Sequence, residues 1–202
     1  MNHSAERSNK VPVSPHFEET LAYLKHELPI DESFDVIHHQ LQYGGVKMGL
    51  FFVDGFAKDD VMVQIMRHLD AHAPQNLSDN PIEKLTRSLI PYIEVSTTDD
   101  LENVITQVLS GQAALIVEGA TEAILLDVRT YPARSPEEPD VERVVRGPRD
   151  GFVETIIFNT ALIRRRIRDR ALVMKYKQVG LRSKTDVVLA YMKNIADPDL
   201  VQ

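Results

Sequence analysis

The stretch YIEVSTTDDLENVITQVLSGQAALIVEGATEAILLDV, residues 92–128, decides the fold class of this chain. Residues 92–96 read as a strand. Asp99 and Glu102 form a D-x-x-E start for a helix. Leu101, Val104, Ile105, Val108 and Leu109 then recur at i, i+3, i+4, i+7 and i+8, one apolar stripe of an amphipathic helix. Gly111 stands where a glycine just past a helix end belongs. The run 113–117, AALIV, is apolar throughout, as a strand covered on both faces would be. Glu118-Gly119-Ala120-Thr121 turns the chain into a further strand at 123–128. Strand, helix, strand and hairpin strand together predict an α/β body.

Upstream, Phe17, Leu21 and Leu24 keep helical spacing up to Pro29. Residues 34–42 and 46–53 read as a hairpin around Tyr43-Gly44-Gly45, with glycine supplying positive φ at the turn. Asp54-Gly55 breaks the second strand. A helix from about Lys58 carries Val61, Ile65 and Leu69. A loop over 73–81 leads to a short helix at 82–90.

Downstream, residues 131–149 hold four of the eleven prolines, so this segment is extended or looped over much of its length. Asp150 is positioned to cap a helix from Gly151 to about Arg168, with Phe152, Ile156, Ile163 and Ile167 on one side. Two β-rich runs, 172–179 and 185–192, flank Gly180-Leu181-Arg182-Ser183-Lys184 and read as a hairpin. The expected architecture is α/β, two small α/β subdomains, each a mixed sheet with flanking helices. Residues 1–15 are a disordered lead-in, 16–130 the N-terminal α/β subdomain, 131–150 a Pro/Gly-rich linker, and 151–202 a C-terminal subdomain of helix plus hairpin.

Charge divides at the same place. Residues 1–128 carry 8 Lys+Arg against 20 Asp+Glu, net −12, and residues 129–202 carry 15 against 10, net +5, which together give the overall −7. A basic end on an acidic body implies that the basic part faces something anionic. The chain has no cysteine, which excludes disulfides, thiolate catalysis and Cys-based zinc sites and fits a reducing compartment. No apolar run approaches the roughly 18 residues needed to span a bilayer, and the N-terminus lacks the apolar core of a signal peptide. The chain as it stands reads as soluble.

Motifs for chemistry are weak. His68 and His72 have the i, i+4 spacing of two metal ligands, but Leu69 stands where a metalloprotease places its Glu. A solvated polar face is the favoured reading. His38 and His39 are adjacent in a strand, so they point to opposite faces and cannot act together. Asp54-Gly55-Phe56 and Glu118-Gly119 follow apolar strands, where α/β proteins often bind ligands, yet both read first as tight turns. No dinucleotide fingerprint, phosphate loop, nucleophile elbow or zinc-protease motif occurs. The chain is not expected to be an enzyme or to need a cofactor or metal.

Three consecutive arginines, Arg164, Arg165 and Arg166, followed by Arg168, close the expected helix, where cations favour the helix dipole. They span about 200° of the helix, so they cannot share one partner. One is expected to pair with the acidic run Glu137, Glu138, Asp140 and Glu142. Aromatics for base stacking are absent among them. Pairing within or between subunits is therefore favoured over nucleic acid, and involves Arg134, Glu137, Glu138, Asp140, Arg143, Arg146, Arg149, Arg164, Arg165, Arg166 and Arg168. A small-molecule sensor cleft near Asp54, Glu118 and Arg146 is the alternative, and an anion- or nucleic-acid-binding module a weaker one.

The blocks S-P-E-E-P-D (135–140), V-V-R-G-P-R-D-G-F-V-E (144–154), R-R-R-I-R-D (164–169), G-L-R-S-K-T-D-V (180–187) and I-A-D-P (195–198) occur in this order. Together they resemble the soluble N-terminal region of the spore germinant-receptor A-subunit family. Tyr131-Pro132-Ala133-Arg134 and Phe158-Asn159-Thr160 resemble a branch paralogous to the nutrient receptors. The resemblance implies two α/β subdomains preceding a membrane region absent from this chain. It also implies a germination role as a subunit of an oligomeric ion channel of the inner spore membrane, with this domain on the cytoplasmic (core) side. Implied partners are identical subunits, the protein's own membrane domain, other germination membrane proteins and, for a nutrient receptor, B and C subunits. A membrane surface would lie nearby. The family offers no catalytic residues to carry over.

Overall fold

The computed structural model describes residues 10–72, 76–90, 94–129 and 151–201. Two layers of helix cover a five-stranded sheet. In chain order the elements are α1 (Phe17–Glu27), β1 (Val36–Tyr43), β2 (Val46–Val53), α2 (Asp59–His72), α3 (Pro81–Lys84) running into a π-turn (Leu85–Leu89), β3 (Val95–Thr98), α4 (Leu101–Leu109), β4 (Ala113–Val117) and β5 (Ala123–Leu126). Then follow α5 (Ile156–Arg166), β6 (Leu172–Val179), β7 (Thr185–Met192) and α6 (Pro198–Val201).

The sheet order is β1-β2-β4-β5-β3. The α/β class stands as expected from the sequence, but the pairing differs from a mixed sheet. Every strand pair among the described residues is antiparallel, in the five-stranded sheet and in the separate β6–β7 hairpin. The β3-α4-β4 unit is a split crossover. Strands β3 and β4 run the same way but β5 lies between them, with Leu125 opposite Ser96 on one side and Ala114 on the other.

All five residues of β4 and all four of β5 are buried. On one face Phe51, Ala114, Ile116 and Leu125 pack under α1 and α4. On the other, Met48, Leu50, Leu115 and Ile124 pack under α2 and the π-turn. Burial on both faces is the reason AALIV does not alternate, and each such side chain contributes roughly 1.5–3 kcal/mol.

Helix α4 buries the expected stripe of Leu101, Val104, Ile105, Val108 and Leu109. Its N-cap is one residue later than the D-x-x-E pattern indicates. Asp100, not Asp99, accepts from the Glu102 amide at 3.1 Å. Asp100 also accepts from the Val11 amide, while Asp99 pairs with Lys10 at 2.6 Å. Gly111 ends the helix with φ +102° and lies within 3.0 Å of the Phe56 ring at its Cβ position, so both conformation and space require glycine.

Two expectations need correction. Residues 10–15, placed in a disordered lead-in, are tied down. Val13 is buried and donates to the Asp99 carbonyl, and the Leu101 amide donates to Val11. The helix expected from Gly151 begins instead at Ile156, with Thr155 at the N-cap. Asn159 folds back and exchanges two 2.7 Å hydrogen bonds with the Val153 backbone, which fixes the lead-in outside the helix. The buried face of α5 is Thr160, Ala161 and Arg164. The isoleucine side is at most half-buried, and Phe152 and Ile167 are exposed. Asp150 and the linker 131–150 lie outside the described residues.

Candidate functional site

The C-terminal elements meet the body at a buried arginine. Helix α5 lies on the turn after β2, where Gly55 has φ +79° and its Cβ position is 3.1 Å from the Ala161 methyl. Glycine and alanine at this crossing let backbone and helix approach closely. One turn further along, Arg164 points inward and is fully buried. Its Nε donates to Asp35 Oδ2 at 2.8 Å and its Nη2 to Asp35 Oδ1 at 3.1 Å, a bidentate pair. Nη2 also donates to the Leu172 carbonyl at 3.0 Å and Nη1 to the Asp169 carbonyl at 3.1 Å.

Asp35 is 2% exposed at its side chain and has a further donor in Ser33 Oγ, 2.5 Å from Oδ1. Ser33 Oγ in turn accepts from the Met174 amide at 2.9 Å. Backbone bonds run parallel to this network. The Phe34 amide donates to the Met174 carbonyl, and the Asp54 amide donates to the Asp35 carbonyl. One guanidinium therefore joins α5, the segment before β1, the turn after β2 and the base of β6. Removing either charge would strand the other in a dry site, at a cost of several kcal/mol.

A second ionic clasp lies beside it. Arg170 donates to Glu27 at the end of α1 and to Glu102 in the first turn of α4, the latter at 2.5 Å. Tyr23 Oη donates to Glu102 at 2.7 Å. The hydrogen bonds from Arg170 hold both glutamates below the usual carboxylate range. Burial, reinforced by the bond to Glu102, pushes the Tyr23 phenol up to about 12. Lys193, just after β7, pairs with Glu32.

The sequence-selected residues distribute as follows. Arg164 is the centre of the junction and pairs with Asp35; the acidic run at 137–142, the expected partner of one of the arginines, lies outside the described residues. Arg165, Arg166 and Arg168 are exposed, and Arg168 Nε donates to the Arg165 carbonyl at 3.3 Å. Asp54 and Glu118 do not come together. Asp54 follows the end of β2, and Glu118 bonds Lys47 near its start, through backbone and carboxylate. The seven strand rises from Lys47 to Asp54 separate the two by about 23 Å. Asp54 is half-buried, and desolvation there raises its carboxyl pKa. Arg134, Glu137, Glu138, Asp140, Arg143, Arg146 and Arg149 lie outside the described residues. His68 and His72 stack on each other at the rim of α2. His38 stacks on Phe51, and burial lowers its pKa. Among the described residues no three His, Asp and Glu side chains gather as a metal site would need. No helix among them is long and apolar enough to cross a membrane.

Sequence reasoning did not single out Ser33, Asp35, Glu27, Glu102 or Arg170 as pairing residues. The one local signal was Asp35 itself, a carboxylate directly before the apolar start of a strand.

A split α/β sheet carrying an ionically docked helix and hairpin defines a fold shared with a solved germination domain. The N-terminal domain of the A subunit of the Bacillus megaterium spore germinant receptor GerK3 superposes with a TM-score of 0.69 over 96% of this chain and 71% of that one, at 19% identity. Residues 22–202 match the family described as Bacillus/Clostridium GerA spore germination protein, and the chain belongs to that family. It is 42% identical over 180 residues to stage V sporulation protein AF of Bacillus subtilis (strain 168), covering 89% of this chain and 36% of that protein. It is 32% identical over 177 residues to spore germination protein B1 of the same strain, covering 85% and 36%. The chain thus spans just over a third of the length of these curated relatives.

Proposed function

We propose that this chain is the domain through which a spore germination membrane protein assembles with its neighbours and relays a signal to a membrane-embedded remainder. Membership of the GerA family supports the germination role, and the greater length of the relatives supports a remainder. The reading places the domain at the inner spore membrane on the core side, in a subunit of an oligomeric ion channel. Its partners would be identical subunits, its own membrane region and other germination membrane proteins.

The observation that carries this reading is the Arg164–Asp35–Ser33 junction. A fully buried, bidentate pair couples the C-terminal elements rigidly to the body, so displacement of one displaces the other. Asp54 and Glu118 lie toward opposite ends of β2, so these two residues do not share one cleft. The test is germination of spores that carry Arg164→Ala, and separately Arg164→Met with Asp35→Leu, at matched protein levels. The single substitution is expected to abolish ion release, and the double one to restore folding but not ion release, because apolar packing does not fix one orientation. Normal germination of the single variant would contradict the reading.

A further inference from the structure

Among the described residues the hairpin β6–β7 is anchored near its base. Leu172, Val173 and Met174 are buried, whereas the four residues 176–179 and most of β7 are exposed. Tyr176 still packs on Phe34, with ring centroids 5.9 Å apart, and the strand beyond it carries the tip about 13 Å further. The register puts Lys175 opposite Leu189, Lys177 opposite Val187 and Val179 opposite Thr185, all on one face. That face exposes Val179, Val187 and Leu189 beside the two lysines. At the tip, Leu181 is 99% exposed and is followed by Arg182 and Lys184. The hairpin and Lys193 after it hold five cations and one carboxylate, Asp186. Asp186 lies on the other face, where Tyr176 Oη and Gln178 Nε2 donate to it at 2.5 and 3.0 Å.

We infer that the tip and lysine face of this hairpin dock onto an anionic phospholipid surface, with Leu181 entering the headgroup–acyl boundary. The chemistry selects lipid over protein. Lysine is depleted from the cores of protein interfaces. At a bilayer its long stem lies along apolar surface while the ammonium reaches the phosphates. Exposed aliphatic side chains stand opposite such lysines here, and the most exposed leucine precedes two cations of the tip, Arg182 and Lys184. Charge also sets the orientation. Residues 1–128 carry net −12, so an anionic surface repels the body and draws in the hairpin. The inference goes beyond the assembly role above and stands on the hairpin alone, so it survives if that role fails.

The experiment is co-sedimentation of the 202-residue chain with phosphatidylglycerol–phosphatidylcholine vesicles and with phosphatidylcholine alone. Binding is expected only with the anionic vesicles, and added salt should weaken it. Arg182→Gln with Lys184→Gln should weaken it about 25-fold, at about fivefold per cation. Leu181→Ser should weaken it roughly tenfold. Both variants should melt as the parent does, because the side chains are exposed. The chain has no tryptophan, so Leu181→Trp makes the tip the sole indole. Its emission should shift to the blue on anionic vesicles. Three results would overturn the proposal. One is no binding at low salt. Another is binding indifferent to the tip substitutions or leaving the Trp emission unshifted. The third is a blue shift that grows with protein concentration in the absence of vesicles, which would put a second copy on the tip.

Discussion

The five-stranded body and the C-terminal helix–hairpin unit are held by different forces. In β4 every residue is buried, and its neighbours β2 and β5 are apolar on both faces. In β7 no residue is fully buried. The body needs no ion pair to explain its cohesion. Among the described residues, the C-terminal unit contributes Ala161, Leu172, Val173 and Met174 to buried apolar surface, shares hydrogen bonds between Met174 and Ser33–Phe34, and pairs ionically through Arg164, Arg170 and Lys193. Apolar burial tolerates small sliding, whereas a bidentate pair with further carbonyl acceptors fixes one orientation. The contrast locates the stiff element of the molecule at a charge, not in its hydrophobic core.

The comparison can be broken most severely at Arg164. Arg164→Ala leaves Asp35 buried without its countercharge and should cost about 3–5 kcal/mol in chemical denaturation. Arg164→Met with Asp35→Leu should recover most of that loss. Recovery by the apolar pair would show that orientation, rather than net stability, is what the charges supply. A smaller effect is expected where α5 crosses the body. Gly55→Ala brings a methyl to 3.1 Å from Ala161 in a backbone conformation that disfavours side chains, and should lower stability by about 1–2 kcal/mol. Within the body, Asp100→Ala removes the cap of α4 and should cost about 1 kcal/mol, without disturbing the junction.

The smallest effect sharpens the comparison through pH. Arg170 lowers the folded pKa values of Glu27 and Glu102. Their contribution is therefore complete above the ordinary glutamate pKa and is lost as the pH falls through the depressed folded values. Arg170→Met should flatten the acid limb of the stability–pH curve. An unchanged acid limb would mean that the clasp adds nothing beyond its geometry.

The body was largely legible from periodicity. The all-apolar run 113–117 required two covered faces, and the stripe in 101–109 required a helix. The hairpin strands were equally legible, because β-rich runs on either side of Gly180 leave little else. What stayed hidden depends on long-range geometry. Nothing local separates Arg164 from Arg165 and Arg166. Only the crossing of α5 over Gly55 decides which arginine turns inward. Asp99 and Asp100 are equivalent caps by type, and the choice falls to Asp100 because the Val11 amide, from a distant segment, bonds it. Antiparallel pairing was missed because β5 inserts between β3 and β4, a matter of strand order that amphipathicity does not encode.

The most direct test of the ionic docking is native-state hydrogen exchange of the parent and Arg164→Ala, comparing the amides of β4 with those at the base of β6. The account requires that the amides of Leu172, Val173 and Met174 lose protection by orders of magnitude in the variant, while 113–117 exchange as before. Equal acceleration of both segments, or no change in either, would contradict it and would mean that one cooperative apolar core holds the whole molecule.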